Sequence, residues 1–172
     1  MKKYISMFMF AMLACFGFSS CDPETDEEPG GTNVEKMAGM WDVQVHAINA
    51  DGSVEYEDPY GIGTFTINTY NTAANTATEM WFDDSRNFWG VKMKVNVDYA
   101  NATFSAPDGT AYDYTAPDGG KVKGMKGKIL YGQGKNIHGL PCDSICVEVA
   151  FDDDDYGFTY RYTGVRHSGF YE

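Results

Sequence analysis

Residues 39–49 read Gly-Met-Trp-Asp-Val-Gln-Val-His-Ala-Ile-Asn. Trp41, Val43, Val45 and Ala47 fall on one parity, and Asp42, Gln44 and His46 on the other. A period of two over this length specifies a strand with one face in a core and one in water. The pattern recurs downstream. In FWGVKMKVNVD, residues 88–98, Trp89, Val91, Met93, Val95 and Val97 oppose Lys92, Lys94 and Asn96. Ile145, Val147, Val149 and Phe151 share a face before the acidic hairpin end Asp152–Asp155. The last run places Phe158, Tyr160, Tyr162, Gly164 and Arg166 on one parity.

Between these lie further strand segments: Tyr60–Tyr70 with its two glycines, EMWFDD (79–84), Ala102–Ser105, Ala111–Tyr114 and Lys121–Tyr131. Turn signals separate them, at Ala50-Asp51-Gly52-Ser53, at Ser85-Arg86-Asn87 and at Pro-Asp-Gly beginning at Pro107 and Pro117. Gly132–Pro141 reads as a loop. No segment of helical period follows the N-terminal region. Sequential strands with short connections in a single domain fit an antiparallel up-and-down barrel of about eight strands, or a sandwich.

Composition agrees. The chain has 172 residues, a one-domain length, with 15% aromatics and 19 glycines, and a net charge of −12. A charge of that sign lacks the basic face that nucleic acid requires. The aromatics exclude a disordered acidic chain.

The first residues are not part of the fold. Lys2 and Lys3 precede an apolar run, Tyr4–Phe18, that is shorter than the roughly 20 residues needed to span a bilayer. This is the layout of a secretory signal, residues 1–20. It ends Phe18-Ser19-Ser20-Cys21, which resembles a bacterial lipobox with Cys21 as the lipidated first residue of the mature chain. Removing residues 1–20 takes away two lysines and no acids, so −12 becomes −14. Residues 21–36 then form the anchor and a flexible tether, because DPETDEEPGGTN (22–33) is acidic and Pro/Gly-rich. The acidic run beside the anchor also resembles a surface-export signal. The expected location is the outer membrane, with display at the cell surface. Cys142 and Cys146 remain in the domain. Four residues along a strand span about 13 Å, too far for a disulfide unless Asp143-Ser144 turns.

Gly39-Met40-Trp41 matches the G-x-W pattern of lipocalins and other calycin barrels. That resemblance implies a barrel floor in which a basic residue of the last strand, here Arg166, packs on Trp41, within about 6 Å. Longer stretches are more specific: Thr69–Asn75, Met80–Asp84, Phe88-Trp89, Lys92-Met93-Lys94, Gly127-Lys128-Ile129, Asp143-Ser144-Ile145, Phe151-Asp152-Asp153 and Gly164–Phe170. Together they resemble the lipocalin-like lipoproteins of Gram-negative gut anaerobes catalogued as lipid-binding putative hydrolases. The resemblance covers residues 37–172 and implies an antiparallel barrel. His167-Ser168 departs from its usual Arg-Thr, as does the cysteine pair flanking Asp143-Ser144-Ile145.

Chemistry is sparse. There is no G-x-S-x-G elbow, no H-E-x-x-H helix and no Walker loop. His167 and Ser168 are adjacent and point to opposite faces of a strand, so they form no nucleophile–base pair. Asp152-x-Asp154 begins like a calcium loop but has Thr163 where the bidentate Glu belongs. No metal, cofactor or catalytic residue is expected. The expected function is binding of a small apolar ligand, a fatty acid or other lipid, lined by Trp41, Val43, Val45, Trp89, Val91, Met93, Tyr160 and Tyr162. The alternatives are a lipid-ester hydrolase, which would need a buried Ser or Asp beside His46 or His138, and a filled barrel serving as a glycan- or protein-contact module through Tyr112, Tyr114 and Tyr156.

Overall fold

A computed structural model describes residues 31–169. The predicted signal segment and Cys21 lie outside these residues. A 3₁₀ turn, Glu35–Met37, leads into ten strands: β1 (Gly39–Ile48), β2 (Val54–Glu57), β3 (Phe65–Asn71), β4 (Glu79–Asp83), β5 (Lys92–Asp98), β6 (Thr103–Ala106), β7 (Thr110–Ala111), β8 (Lys121–Lys135), β9 (Pro141–Phe151) and β10 (Thr159–Arg166). Among the described residues, no helix is long and apolar enough to cross a membrane.

The ladders run antiparallel in the order β1-β3-β4-β5-β6-β8-β9-β10, and β10 returns to β1 from Trp41↔Arg166 to Ile48↔Thr159. The result is a closed barrel. β2 and β7 are accessory strands. β2 continues the edge of β1 past the point where β3 leaves it, and β7 does the same for β8.

The two-residue period is realised as read. Trp41, Val43, Val45 and Ala47 are buried, as are Met93 and Val95 of β5, Ile145 to Phe151 at alternate positions, and Tyr160 and Tyr162. The core begins before β1, because Val34 and Met37 are both fully buried. Val34 lies inside the 21–36 segment read as tether.

Several strand limits differ from the sequence reading, each for a local reason. Residues 60–64 form a loop, not the start of β3: Gly61 and Gly63 are left-handed, and Asp58 accepts the backbone N–H groups of Ile62 and Gly63 at 2.8 and 2.9 Å. Residues 88–91 form a turn, not the start of β5. Half of Gly132–Pro141 is strand. β8 bulges between Leu130 and Gly134 and continues to Lys135, so only Asn136–Leu140 is left as the hairpin tip. β7, Thr110–Ala111, keeps one residue of the expected Ala111–Tyr114 strand. β2, with all four residues exposed, carried no core-facing alternation to reveal it.

Closure depends on one close approach. Gly164 faces Val43 in the β1–β10 ladder. A Cβ built there would lie 1.9 Å from the Asp42 carbonyl oxygen and 2.6 Å from the Val43 Cα. Those are backbone atoms, which cannot swing aside. Gly164→Ala is expected to cost about 1–3 kcal/mol of stability through forced separation of the seam. Urea unfolding measures it, and an unchanged midpoint would show that the seam has slack.

Candidate functional site

The floor of the barrel is sealed by Arg166. Its guanidinium lies 4.5 Å from the centre of the Trp41 ring, inside the distance expected from the sequence. Nη1 donates to Ala38 O at 2.8 Å and Nη2 to Lys36 O at 3.3 Å, so the 3₁₀ turn is pinned beneath the barrel. Asp143 holds the outer side of the guanidinium at 3.2 Å. Trp41 Nε1 donates to Thr69 Oγ1 at 2.9 Å, and Thr69 donates to Met37 O at 2.7 Å. The Gly39 of the G-x-W motif has no room for a Cβ, which would meet Arg166 Nη1 at 2.4 Å. A planar fork and a stacked cation are not reproduced by an ammonium. Arg166→Lys is therefore expected to lower stability by about 1–2 kcal/mol. A thermal melt reads the loss.

The opposite end is a mouth built by three aspartates. Each carboxylate organises one loop by accepting its backbone N–H groups. Asp58 holds the 58–64 loop, as above. Asp84, fully buried, accepts Arg86 N, Trp89 N and Gly90 N at 2.9–3.0 Å. Asp154 accepts Tyr156 N at 3.1 Å, Phe158 N at 2.8 Å and the Tyr160 hydroxyl at 3.0 Å. These bonds leave short polar side chains inside the loops and aromatic ones over the opening.

Phe88 is the plug. Its ring lies 5.1–6.4 Å from those of Tyr60, Phe65, Trp89, Tyr160 and Tyr162. Trp89 stacks on Phe151 at 4.6 Å with the planes 1° apart, and its Nε1 donates to Asp153 at 3.1 Å. The Tyr112 hydroxyl donates to the same carboxylate at 2.7 Å. Burial and Asp153 push the Tyr112 phenol up to about 12. Tyr160 is buried, donates to Asp154 and stands 2.8 Å from the Tyr60 hydroxyl. Tyr162 is fully buried, and its hydroxyl has no hydrogen-bond partner.

The residues expected to line a ligand cavity thus share the interior. Trp41 is at the floor, Val43 and Val45 on the wall of β1, Val91 and Met93 at the start of β5, and Trp89, Tyr160 and Tyr162 toward the mouth. Their side chains and Phe88 pack against one another in one buried cluster. Outside the barrel, a groove of about 670 Å³ crosses β5, β6, β8 and β9, lined among others by Val97, Phe104, Leu130, Lys128 and Cys146.

Other residues singled out from sequence have settled places. Asp83 and Asp84 point to opposite faces. Asp83 pairs outward with Lys92 at 2.7 Å and accepts the Tyr70 hydroxyl, whereas Asp84 turns inward. Lys94 lies over Trp81 and pairs with Glu79. Cys142 and Cys146 are both on β9 with free thiols, the extended-strand alternative, and burial pushes the Cys146 thiol up. Of the histidines, His138 is exposed at the β8–β9 tip, and His46 Nδ1 is buried without a partner between β2 and β10. His167 Nδ1 lies 2.8 Å from Asp42 Oδ2. Sequence reasoning missed this pair because 125 positions separate the two residues and only the register of β1 on β10 joins them.

The architecture defines a class: a closed antiparallel barrel with an apolar, aromatic interior, sealed below by a stacked arginine. A family model described as "lipid-binding putative hydrolase" matches residues 26–171. The chain belongs to this lipid-binding family. No curated protein matches it.

Asp84 gives the mouth a pH signature. Burial raises its carboxyl above the usual carboxylate range, although the backbone donors of residues 86, 89, 90 and 91 pull it down. The native state therefore keeps this proton to higher pH than the unfolded chain, whose aspartates titrate near about 3.9. Stability is lost on this account as pH rises from there through the raised value. Asp84→Asn is expected to remove that component, so the variant gains on the wild type as pH rises from about 4 through the raised value. Parallel urea-midpoint profiles would contradict it.

Proposed function

We propose that this protein is a lipid-anchored, outer-membrane lipid-binding barrel that holds one apolar ligand, and that the ligand contacts Trp89, Val91, Met93, Tyr160 and Tyr162 above a base of Trp41, Val43 and Val45. The observation that carries the reading is the interior itself. It is apolar from the Trp41 floor upward, and short loops, not a strand or a helix, cover it at the mouth. Apolar enclosure with a few polar groups at one end is the chemistry of small-ligand sites. Membership of a lipid-binding family supports the same reading. Tethering rests on Cys21 and its lipobox-like context, and surface display on the acidic run that follows.

A hydrolase reading is less well served. The Asp42–His167 pair forms on the outward parity of β1, across the sheet from the apolar interior. A second binding reading has one observation in its favour, the apolar-floored outer groove beside Leu130.

The test is native mass spectrometry of residues 22–172 after incubation with a membrane-lipid extract. One lipid mass per chain, retained by Leu130→Arg, is expected. Loss of lipid in Leu130→Arg would transfer the site to the outer groove. A clean apo mass would overturn the binding reading, and released fatty acid without retained ligand would revive the hydrolase. Separately, Cys21→Ala is expected to move the full-length chain from the membrane fraction to the soluble one.

A further inference from the structure

The turn that closes the mouth is held in an unusual way. Ser85 and Arg86 are consecutive non-glycine residues with left-handed backbones, φ 55° and 62°, and Gly90 follows at 76°. Non-glycine residues in that region persist only when their surroundings fix them. What fixes them here is a pair of aspartates: Asp83 accepts Ser85 N at 2.9 Å, and Asp84 accepts the N–H groups of Arg86, Trp89 and Gly90. Phe88, which the turn presents, is only partly buried. Directly beneath its ring, with centroids 5.6 Å apart, lies Tyr162, whose fully buried hydroxyl is unpartnered. A buried donor without an acceptor is costly in a packed interior. Strain above and an unmet donor below mark the same spot.

The electrostatics of that spot select among lipids. Asp84 and Asp154 are the buried charged residues among those described, and both lie at this end. The nearby cations have other partners: Arg86, in the turn itself, acts on Asp113 outside the barrel, Arg166 stacks at the floor, Lys92 pairs with Asp83 on the outer face, and Arg161 with Glu148. A carboxylate or phosphate head would meet the like charge of Asp84 and Asp154 at low dielectric. A neutral head bearing a hydroxyl or ester oxygen meets a phenolic donor instead. The Phe88 ring itself lies between Tyr60 and Trp89, at 5.6 and 5.4 Å between centroids. Outside it, Tyr56, Tyr60, Ile62 and Tyr156 stay exposed around the rim and give the chain an apolar path.

On the lipid-binding reading above, we propose that the Ser85–Gly90 turn is a gate, that a neutral single-chain lipid such as a monoacylglycerol replaces the Phe88 ring, and that the Tyr162 hydroxyl donates to an oxygen of its head group. Phe88, Ser85 and Arg86 control entry, and Tyr162 reads the head.

The experiment is isothermal titration and native mass spectrometry with 1-monooleoylglycerol and with oleate, on wild type, Phe88→Leu, Phe88→Ala and Tyr162→Phe. Monooleoylglycerol is expected to bind at least about tenfold more tightly than oleate, and Phe88→Leu and Phe88→Ala to tighten it by about tenfold by removing the cost of opening. Tyr162→Phe is expected to weaken it by about five- to tenfold while raising Tm, because an unmet donor is deleted from the native state. A merely structural Tyr162 would leave affinity unchanged. If lipid binds but none of these variants alters affinity, the gate is wrong and the lipid-binding reading stands. Preference for oleate overturns the head-group assignment. If neither lipid binds any of the folded proteins, both fall. Should Phe88→Ala fail to fold, Phe88→Leu alone decides the gate.

Discussion

The β1–β10 seam is the constraint on which the rest of the molecule depends. Eight barrel strands in sequence can lie open as a curved sheet or close into a barrel, and only the last pairing decides between them. That pairing brings together residues more than a hundred positions apart, so its loop-closure entropy is spent late. It is secured by Gly164, which lets the two backbones meet, and by Arg166, whose guanidinium covers Trp41 and collects the carbonyls of the 3₁₀ turn. Once the seam is shut, every barrel strand has a neighbour on both sides.

The barrel wall was legible in the residues because period two is a backbone property. Trp41–Ala47, Met93–Val97 and Ile145–Phe151 had to put one parity inside, wherever the strands lay. Even the contact of Trp41 with Arg166 could be anticipated, although from a resemblance and not from periodicity. The strand ends were less legible. Asp58 and Asp84 convert apparent strand into turn by hydrogen bonds to residues up to six positions away, and an aspartate in a sequence does not announce which amides it will hold. The bulge at Leu130–Gly134 had the opposite effect, since glycines that read as loop were absorbed into a ladder.

The interior was legible as a set of residues but not as an arrangement. Trp89, Tyr160 and Tyr162 were placed inside by parity. Phe88, which covers them, fell on the wrong parity for a strand and so escaped notice. Its role exists only because the segment is a turn. The three mouth aspartates share one logic. A short carboxylate with two oxygens satisfies several amides at once, which lets a loop bury its own backbone and turn its large side chains over the opening. The same device leaves charge at a place otherwise free of it, so the mouth combines apolar surface with a negative potential.

The three tryptophans stand at three different stations. Trp41 is fully buried against a guanidinium, Trp81 lies on the outer wall beneath Lys94 and against Tyr114, and Trp89 sits in the mouth, stacked on Phe151. The protein's intrinsic emission is accordingly a sum of three spatially separate signals. Proteins retaining one indole each would report floor, wall and rim as distinct spectroscopic channels, without any attached dye.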